Sequence, residues 1–434
     1  MEIISQRYNK LKKVLILAYD FPPYNSIGGQ RPFAWFTYLK EFGYTPIVVT
    51  RHWDNPVKNS VDYIKPSNNQ TSSIEDHPQG IVYRAAFNPN LRDRILLKYG
   101  MDKHVFLRKI CSVFFMLFEF FIDGFDNRRT IYLLAQQAIK DHKIDLIIAT
   151  GEPFILFKYA SALSKNYNIP WIADYRDGWS TNHNRSTIEK RYYSIIEKHY
   201  LATASIVTTV SEEFSHQLQQ LLKRKVQVIL NGYFEEKFKV IPPSVKQDKF
   251  IISFAGTLYP YQPIEIFAKG FALFFLKHNE DILLRFIGVG FYPDQVERIK
   301  KALKGYAGNL EFTERLPHDE TLKLLAESSV LLLPADSNRP QIYAKVFDYL
   351  ALRKNILLCK SDEGSLYKII SETNSGFICN TEEEVAVTLE KIYSEWKDNG
   401  YVTCNSIGIE KYSRKNQTRL LVDKLNELMK ESFN

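Results

Sequence analysis

The 434-residue chain is predicted to be an α/β protein of two doubly wound parallel-sheet domains, with a terminal helix that crosses back to the first. Three observations predict this. Short β-branched and apolar runs alternate with amphipathic stretches through the first half, and the same alternation restarts after Pro242-Pro243. The last stretch, Lys411 to Met429, breaks the alternation and sets Leu420, Leu421, Leu425 and Leu428 at helical spacing, so one face must be buried. A chain of this length also exceeds what one hydrophobic core ordinarily serves. The expected domains are residues 1–235, residues 236–405, and a terminal helix over 406–434.

In the first half the expected strands are Val14 to Ala18, Ile47 to Thr50, Leu146 to Thr150, Trp171 to Ala173 and Ile206 to Val210. A helix is expected over Pro32 to Phe42, because Pro32 suits a first turn and Gly43 an exit. In the second half the strands are Ile251 to Phe254, Leu283 to Ile287, Val330 to Leu333 and Ile356 to Leu358. Asn59 to Ser73, rich in Asn, Ser and Gln, reads as an exposed loop. Two such sheets facing each other would leave a cleft at their strands' carboxyl ends, where open α/β sheets bind ligands.

Composition narrows the function classes. The 45% hydrophobic and 24% charged residues are those of an ordinary folded protein. Cys111, Cys359, Cys379 and Cys404 form no CxxC pair and no zinc-like spacing with histidine, so no bound metal is expected and the setting reads as reducing and cytoplasmic. Met1 to Lys13 is polar and basic and runs directly into the first strand, without a signal peptide's apolar segment. The net charge of +8 favours anionic partners. Nucleic acid is not expected among them, because no recognition module interleaves the basic residues.

Three loops after strands carry the candidate chemistry. The first, Tyr19 to Arg31, contains Gly28-Gly29 at the start of a helix, where backbone N–H groups can approach an anion. It is not GxGxxG, which disfavours a dinucleotide site. The second, Asp174-Tyr-Arg176-Asp177, clusters two carboxylates and a guanidinium; Arg176 either binds phosphate or orients Asp177, or the charges cap a helix and pair with one another. In the third, Ser337 to Ala344 opens into a helix with Lys345 and Asp348 on one face. That lysine would neutralise a pyrophosphate and the carboxylate accept ribose hydroxyls, unless the two form a surface ion pair of little consequence.

Taken in order, Leu17-Ala-Tyr-Asp-Phe-Pro-Pro with Gly28-Gly29, Ala173-Asp-Tyr-Arg-Asp-Gly-Trp, Val210-Ser211, Asn231-Gly232, Phe254-Ala-Gly-Thr-Leu258 and Lys345-Val-Phe-Asp-Tyr-Leu-Ala351 resemble the family-four glycosyltransferases over nearly the whole chain. That resemblance implies the GT-B fold, two facing Rossmann-like domains. It implies a metal-independent, retaining transfer of sugar from a nucleotide-sugar donor, with no further cofactor, to a saccharide or lipid-linked saccharide acceptor in surface polysaccharide synthesis. The absence of an Asp-x-Asp triplet agrees with metal independence. By resemblance Gly28 and Gly29 approach donor phosphates or acceptor, Gly256 and Thr257 line the donor site, Lys345 meets the pyrophosphate, and Asp348 stands where a ribose-binding Glu is usual. Arg339, Ile342 and Tyr343 join the donor contacts, and Arg176 and Asp177 are the catalytic candidates beside Lys345.

The chain departs from the family pattern at Pro340, where a Glu is usual, at Thr257 for an Arg, at Gln262 for a Lys, and at Arg176-Asp177 for His-Asp. Its sugar and phosphate contacts must therefore differ, and Arg339 or Arg176 would supply the missing positive charge. These departures keep two other readings open, a nucleotide-sugar epimerase of the same fold and a non-catalytic binding protein. Finally, basic residues from Arg92 to Lys109 precede the apolar run Val113 to Phe118. The preferred reading is a buried helix with a solvated flank; the other is peripheral contact with an anionic membrane at the inner face of the cell membrane.

Overall fold

The computed structural model describes residues 11–55, 57, 59–122, 124–239, 246–278, 281–338 and 341–431. Pro242-Pro243, Arg339 and Pro340 lie outside the described residues. The chain divides into two compact units. The first runs to Val210, adds Phe214–Ile229 and takes back the chain from Thr418; the second is Leu230–Gln417 with Ser211–Glu213.

The first unit holds an eight-stranded sheet made of β1 (Lys12–Leu17), β2 (Tyr44–Arg51), β3 (Ser73–Asp76), β4 (Ile81–Ala85), β5 (Leu146–Gly151), β6 (Trp171–Tyr175), β7 (Ile206–Thr209) and β8 (Gln227–Val228), in the order β3-β4-β2-β1-β5-β6-β7-β8. Every pair is parallel except β3–β4. β1 and β5 are buried along almost their whole length, as expected of strands covered on both faces. The order reverses between β1 and β5, so the loops after these two strands flank the position where doubly wound sheets bind ligands.

The second unit repeats the plan with β9 (Phe250–Ala255), β10 (Ile282–Ile287), β11 (Leu310–Thr313), β12 (Val330–Leu333), β13 (Asn355–Cys359) and β14 (Gly376–Cys379), in the order β11-β10-β9-β12-β13-β14. All five pairings are parallel. Its reversal falls between β9 and β12, which singles out the loops after Ala255 and after Leu333.

Several local expectations change. The helix expected at Pro32 begins at Ile27, because Ser26 caps it by accepting the Gly29 N–H; it ends at Tyr38, and a 3-10 turn over Leu39–Phe42 leads to Gly43. Within the expected loop Asn59 to Ser73, a capping box between Asn59 and Asp62 forms the short helix Ser60–Tyr63. The helix Val105–Phe118 is not the buried element preferred from sequence: only Cys111 within it is buried. The helix Arg414–Glu431 begins in the second unit and is completed in the first, where Leu421, Val422 and Leu425 join a core cluster with Val14, Ile16 and Val48. Leu420, expected on its buried face, is 44% exposed.

Candidate functional site

In the first unit the loop after β1 and the loops after β5 and β6 converge. The Arg176 guanidinium donates through Nε to the Gly151 carbonyl and through Nη2 to the Glu152 carbonyl, both at 2.8 Å. These bonds hold it flat over Gly28: a Cβ at that residue would stand 1.8 Å from Nη1 and 3.0 Å from Asp20 Oδ2. Only glycine permits that approach. Asp20 accepts from the Tyr63 hydroxyl at 3.1 Å and the Ser26 hydroxyl at 3.3 Å. Burial pushes its carboxyl upward, against the opposing pull of Arg176. Glu152 is also raised, by desolvation first and the Asp177 charge second, although its side chain remains accessible. The cluster is a cation and accessible acids around a helix start, able to bind and polarise a hydroxyl-bearing ligand.

Beneath this cluster lies an anchor. Arg31, from the helix Ile27–Tyr38, and Asp174, from β6, form an ion pair at 2.7 Å with both side chains about fully buried, at 2% and 1% exposure. Thr150 of β5 and Thr208 of β7 donate to the same carboxylate at 2.9 and 2.7 Å, and Arg31 Nη1 donates to the Ile229 carbonyl at 2.7 Å. A buried pair of this kind is sustained only when its lone pairs and protons are satisfied, as here. Asp174 is thus a strut that fixes the helix bearing Gly28 against three strand ends.

In the second unit β9 ends at Gly256, whose φ of +81° lies in the left-handed region that favours glycine. The turn brings Thr257 over the start of the helix Lys345–Ala351, and Lys345 Nζ donates to the Thr257 carbonyl at 3.3 Å while lying 3.8 Å from the Phe254 ring centroid. Among the described residues no carboxylate pairs with this ammonium. Desolvation pushes it down to about 7, so the protein offers a poorly solvated cation beside an exposed glycine. An approaching anion would restore what burial takes away.

The surroundings differ from the expectation. Asp348 does not pair with Lys345; its Oδ2 lies 2.9 Å from His318 Nε2, and Lys237 Nζ lies 3.2 Å from the other ring nitrogen. Gln262, standing at a position usually cationic, is fully buried; its Oε1 accepts the Tyr259 N–H at 2.8 Å and its Nε2 donates to the Pro334 carbonyl at 2.6 Å. It ties the loop after β9 to the loop after β12 and, being fully buried, presents no atom to a ligand. Tyr343 is buried and stacks on Tyr259 with ring centroids 6.3 Å apart; Ile342 beside it is half-buried.

The structure therefore brings Gly28 and Arg176 together in one unit, and Gly256, Thr257 and Lys345 in the other. Gly29 gives its N–H to Ser26, and Asp177 is exposed and not oriented by Arg176, whose donors go to backbone carbonyls. Asp20 and His318 were not singled out as site residues by the sequence reading, while Glu152, also after a strand, stayed ambiguous between a functional and a structural role. Asp20 had a signal, an acid directly after the first strand; His318 had none, being remote from Asp348 in sequence. Among the described residues no group of three His, Cys, Asp or Glu side chains is placed to hold a metal ion.

Residues 33–237 match the profile of Glycosyltransferase Family 4. No curated protein sequence matches the chain. Among solved structures, sucrose-phosphate synthase from Thermosynechococcus elongatus superposes with a TM-score of 0.63 at 14% identity, covering 97% of this chain and 100% of that one. A glycosyltransferase from Rickettsia africae gives 0.60 at 17% identity, with 98% and 100% covered. HepE from Anabaena, solved in complex with UDP and glucose, gives 0.56 at 12% identity, with 96% and 100% covered. At such identities these likenesses establish the fold, and the family profile establishes the kind of first domain. Residues 33–237 are thus similar to Glycosyltransferase Family 4, and the chain as a whole has the two-domain GT-B fold of these solved structures.

Proposed function

We propose that the protein transfers a sugar, with retention and without a metal ion, from a nucleotide-sugar donor held by its second unit to a saccharide or lipid-linked saccharide at the inner face of the cell membrane, in surface polysaccharide synthesis. The observation that carries this reading is Lys345, an ammonium facing a carbonyl and a ring with no acidic partner among the described residues. Such a cation is suited to the diphosphate that departs when the bond to the sugar's anomeric carbon breaks. The acceptor oxygen forms the new bond on the same face, and its proton passes to the departing phosphate oxygen, so no strong protein base is needed. The His318–Asp348 couple would receive ribose hydroxyls. Arg176 and Asp20 would position the acceptor.

The test is to incubate the purified protein with UDP- and GDP-linked sugars and saccharide acceptors in excess chelator, and to read the product's anomeric configuration by NMR. Transfer with the donor's configuration kept is expected. Transfer only with added magnesium or manganese would overturn metal independence, and an inverted product would overturn retention. An isomerised nucleotide sugar without transfer would identify an epimerase, and bound but unreacted donor a binding protein.

A further inference from the structure

The first unit carries one surface that neither the sheet nor the candidate site explains. In the helix Val105–Phe118, Phe106 is 78% exposed, Ile110 50%, Val113 52%, Phe114 45% and Leu117 39%, and Phe121 just beyond is 65% exposed. Their spacing places them along one helical face. Exposed apolar side chains are ordinary singly, but a contiguous row of aromatic and branched residues marks a surface that meets something. The helix's 14 residues span about 21 Å, and among the described residues no helix is long and apolar enough to cross a membrane. Its length and one-sided exposure suit lying in an interface.

The charges beside the row select the partner. Arg94, Lys98, Lys103 and Lys109 are exposed, and among the described residues none has an ion-pair partner. Of the two neighbouring acids, Asp93 is already held by Arg92 at 2.6 Å, and the exposed Asp102 offsets one of the four cations. The helix Thr187–Leu201, tethered by the Tyr192 hydroxyl to the Met116 and Leu117 carbonyls at 2.9 and 2.8 Å, adds Ile188 and Ile195, 82% and 71% exposed, with Arg191 and Lys198 in the same stripe. A second copy of the chain would set these cations against themselves, whereas an anionic bilayer complements them.

We propose that this face docks on an anionic phospholipid bilayer, with the helix Val105–Phe118 in the membrane plane, its apolar row among the upper acyl chains and the flanking cations at the phosphate level. The docked element bears on the first unit's cluster. Phe120, buried at the helix's end, packs on Trp179 at 5.1 Å, and Trp179 stacks on Phe154 at 5.1 Å with the rings 1° from parallel. Trp179 and Phe154 stand one residue beyond Arg176-Asp177 and Gly151-Glu152, so the loops that position Arg176 are buttressed by the membrane element. The docking stands on the surface itself and rests on the transfer reading only for what it would deliver, an acceptor carried by lipid.

The experiment is co-sedimentation of the full chain, without donor, with vesicles of phosphatidylcholine alone and of phosphatidylcholine with phosphatidylglycerol at roughly 7:3. Binding only to the anionic vesicles, weakened by salt, is expected. A Phe106→Ser, Ile110→Ser, Val113→Ser variant and a Lys98→Glu, Lys103→Glu, Lys109→Glu variant should each lose on the order of tenfold or more in partition, each cation counting for roughly fivefold. Both should keep the wild-type thermal melt, since the side chains are exposed, and unchanged transfer to a soluble acceptor. No binding to anionic vesicles, or variants that bind like the wild type, would overturn the proposal, as would light scattering that shows a dimer lost in the apolar variant. Vesicle binding is read without substrate, so failure of transfer leaves it standing, and failure of docking leaves transfer standing.

Discussion

Gly28→Ala separates the folding of the first unit from its chemistry. The added methyl carbon would stand 1.8 Å from Arg176 Nη1 and 2.9 Å from Cζ, against ordinary heavy-atom contacts of about 3.5 Å. The guanidinium, being the far end of a flexible side chain, must retreat by roughly 1.5 Å while the backbone stays. That retreat breaks the two bonds at 2.8 Å to Gly151 and Glu152. Water can replace them in part, and alanine improves helix propensity by about 1 kcal/mol, so the net destabilisation is expected to be only about 1–2 kcal/mol. A charge misplaced by that distance should lower kcat by about a hundredfold. Urea unfolding and steady-state transfer kinetics measure the two quantities, with an Arg176→Ala background as control. In that background Gly28→Ala should cost no further activity. Full activity of the single variant, or additive losses in the double, would refute the placement of Arg176 in the chemistry.

Three further outcomes are expected. Burial pushes the Lys345 ammonium down to about 7, from the ordinary lysine value of 10.5. Folded protein therefore binds fewer protons than unfolded between those values, and the cost of its burial is full below pH 7 and fades as pH rises. Lys345→Met should weaken donor binding at least tenfold by calorimetry while unfolding in urea no more easily than the wild type near pH 7, the stability difference shrinking toward pH 10; wild-type donor affinity should fall above about pH 7. Asp174→Ala strands Arg31 and two threonine hydroxyls and should cost about 3–5 kcal/mol in urea unfolding; a loss under 1 kcal/mol would show that the pair does not anchor the helix. Gln262→Lys, which restores the family's usual cation, should destabilise by about 2–4 kcal/mol and leave donor affinity unimproved, because it orphans the Tyr259 N–H and buries a charge; tighter donor binding would contradict this.

What sequence made legible follows burial. The central strands of both sheets except β4 read clearly because parallel strands covered on two faces are continuous apolar runs, as in Leu146 to Thr150 and Val330 to Leu333, whereas Arg84 interrupts Ile81–Ala85. The edge strands β3, β8, β11 and β14 did not, because partly exposed residues such as Ser73–Asp76 or Leu310–Thr313 carry no such run. At the site, Gly28 and Lys345 stood between a strand and a helix, a position that periodicity can locate, whereas Gly256 came from the family resemblance. The Arg31–Asp174 anchor and the His318–Asp348 couple join residues 143 and 30 positions apart, and nothing local in a single sequence encodes such meetings. The exposed face of Val105–Phe118 was misread for a different reason: apolar composition alone describes a core helix and an interfacial one equally well.

The terminal helix gives the chain an order of events during synthesis. Leu421, Val422 and Leu425 complete the covering of β1, and Asn426 accepts from the Tyr44 hydroxyl at 2.7 Å beside it. The core of the first unit therefore closes only with residues from Thr418 onward, which are translated after the whole Leu230–Gln417 stretch of the second unit. A fragment ending at Ile229 would keep Trp35, Phe36 and Leu39 over Val14 and Ile16 but lack Leu421, Val422 and Leu425, and is expected to be less stable than the whole chain.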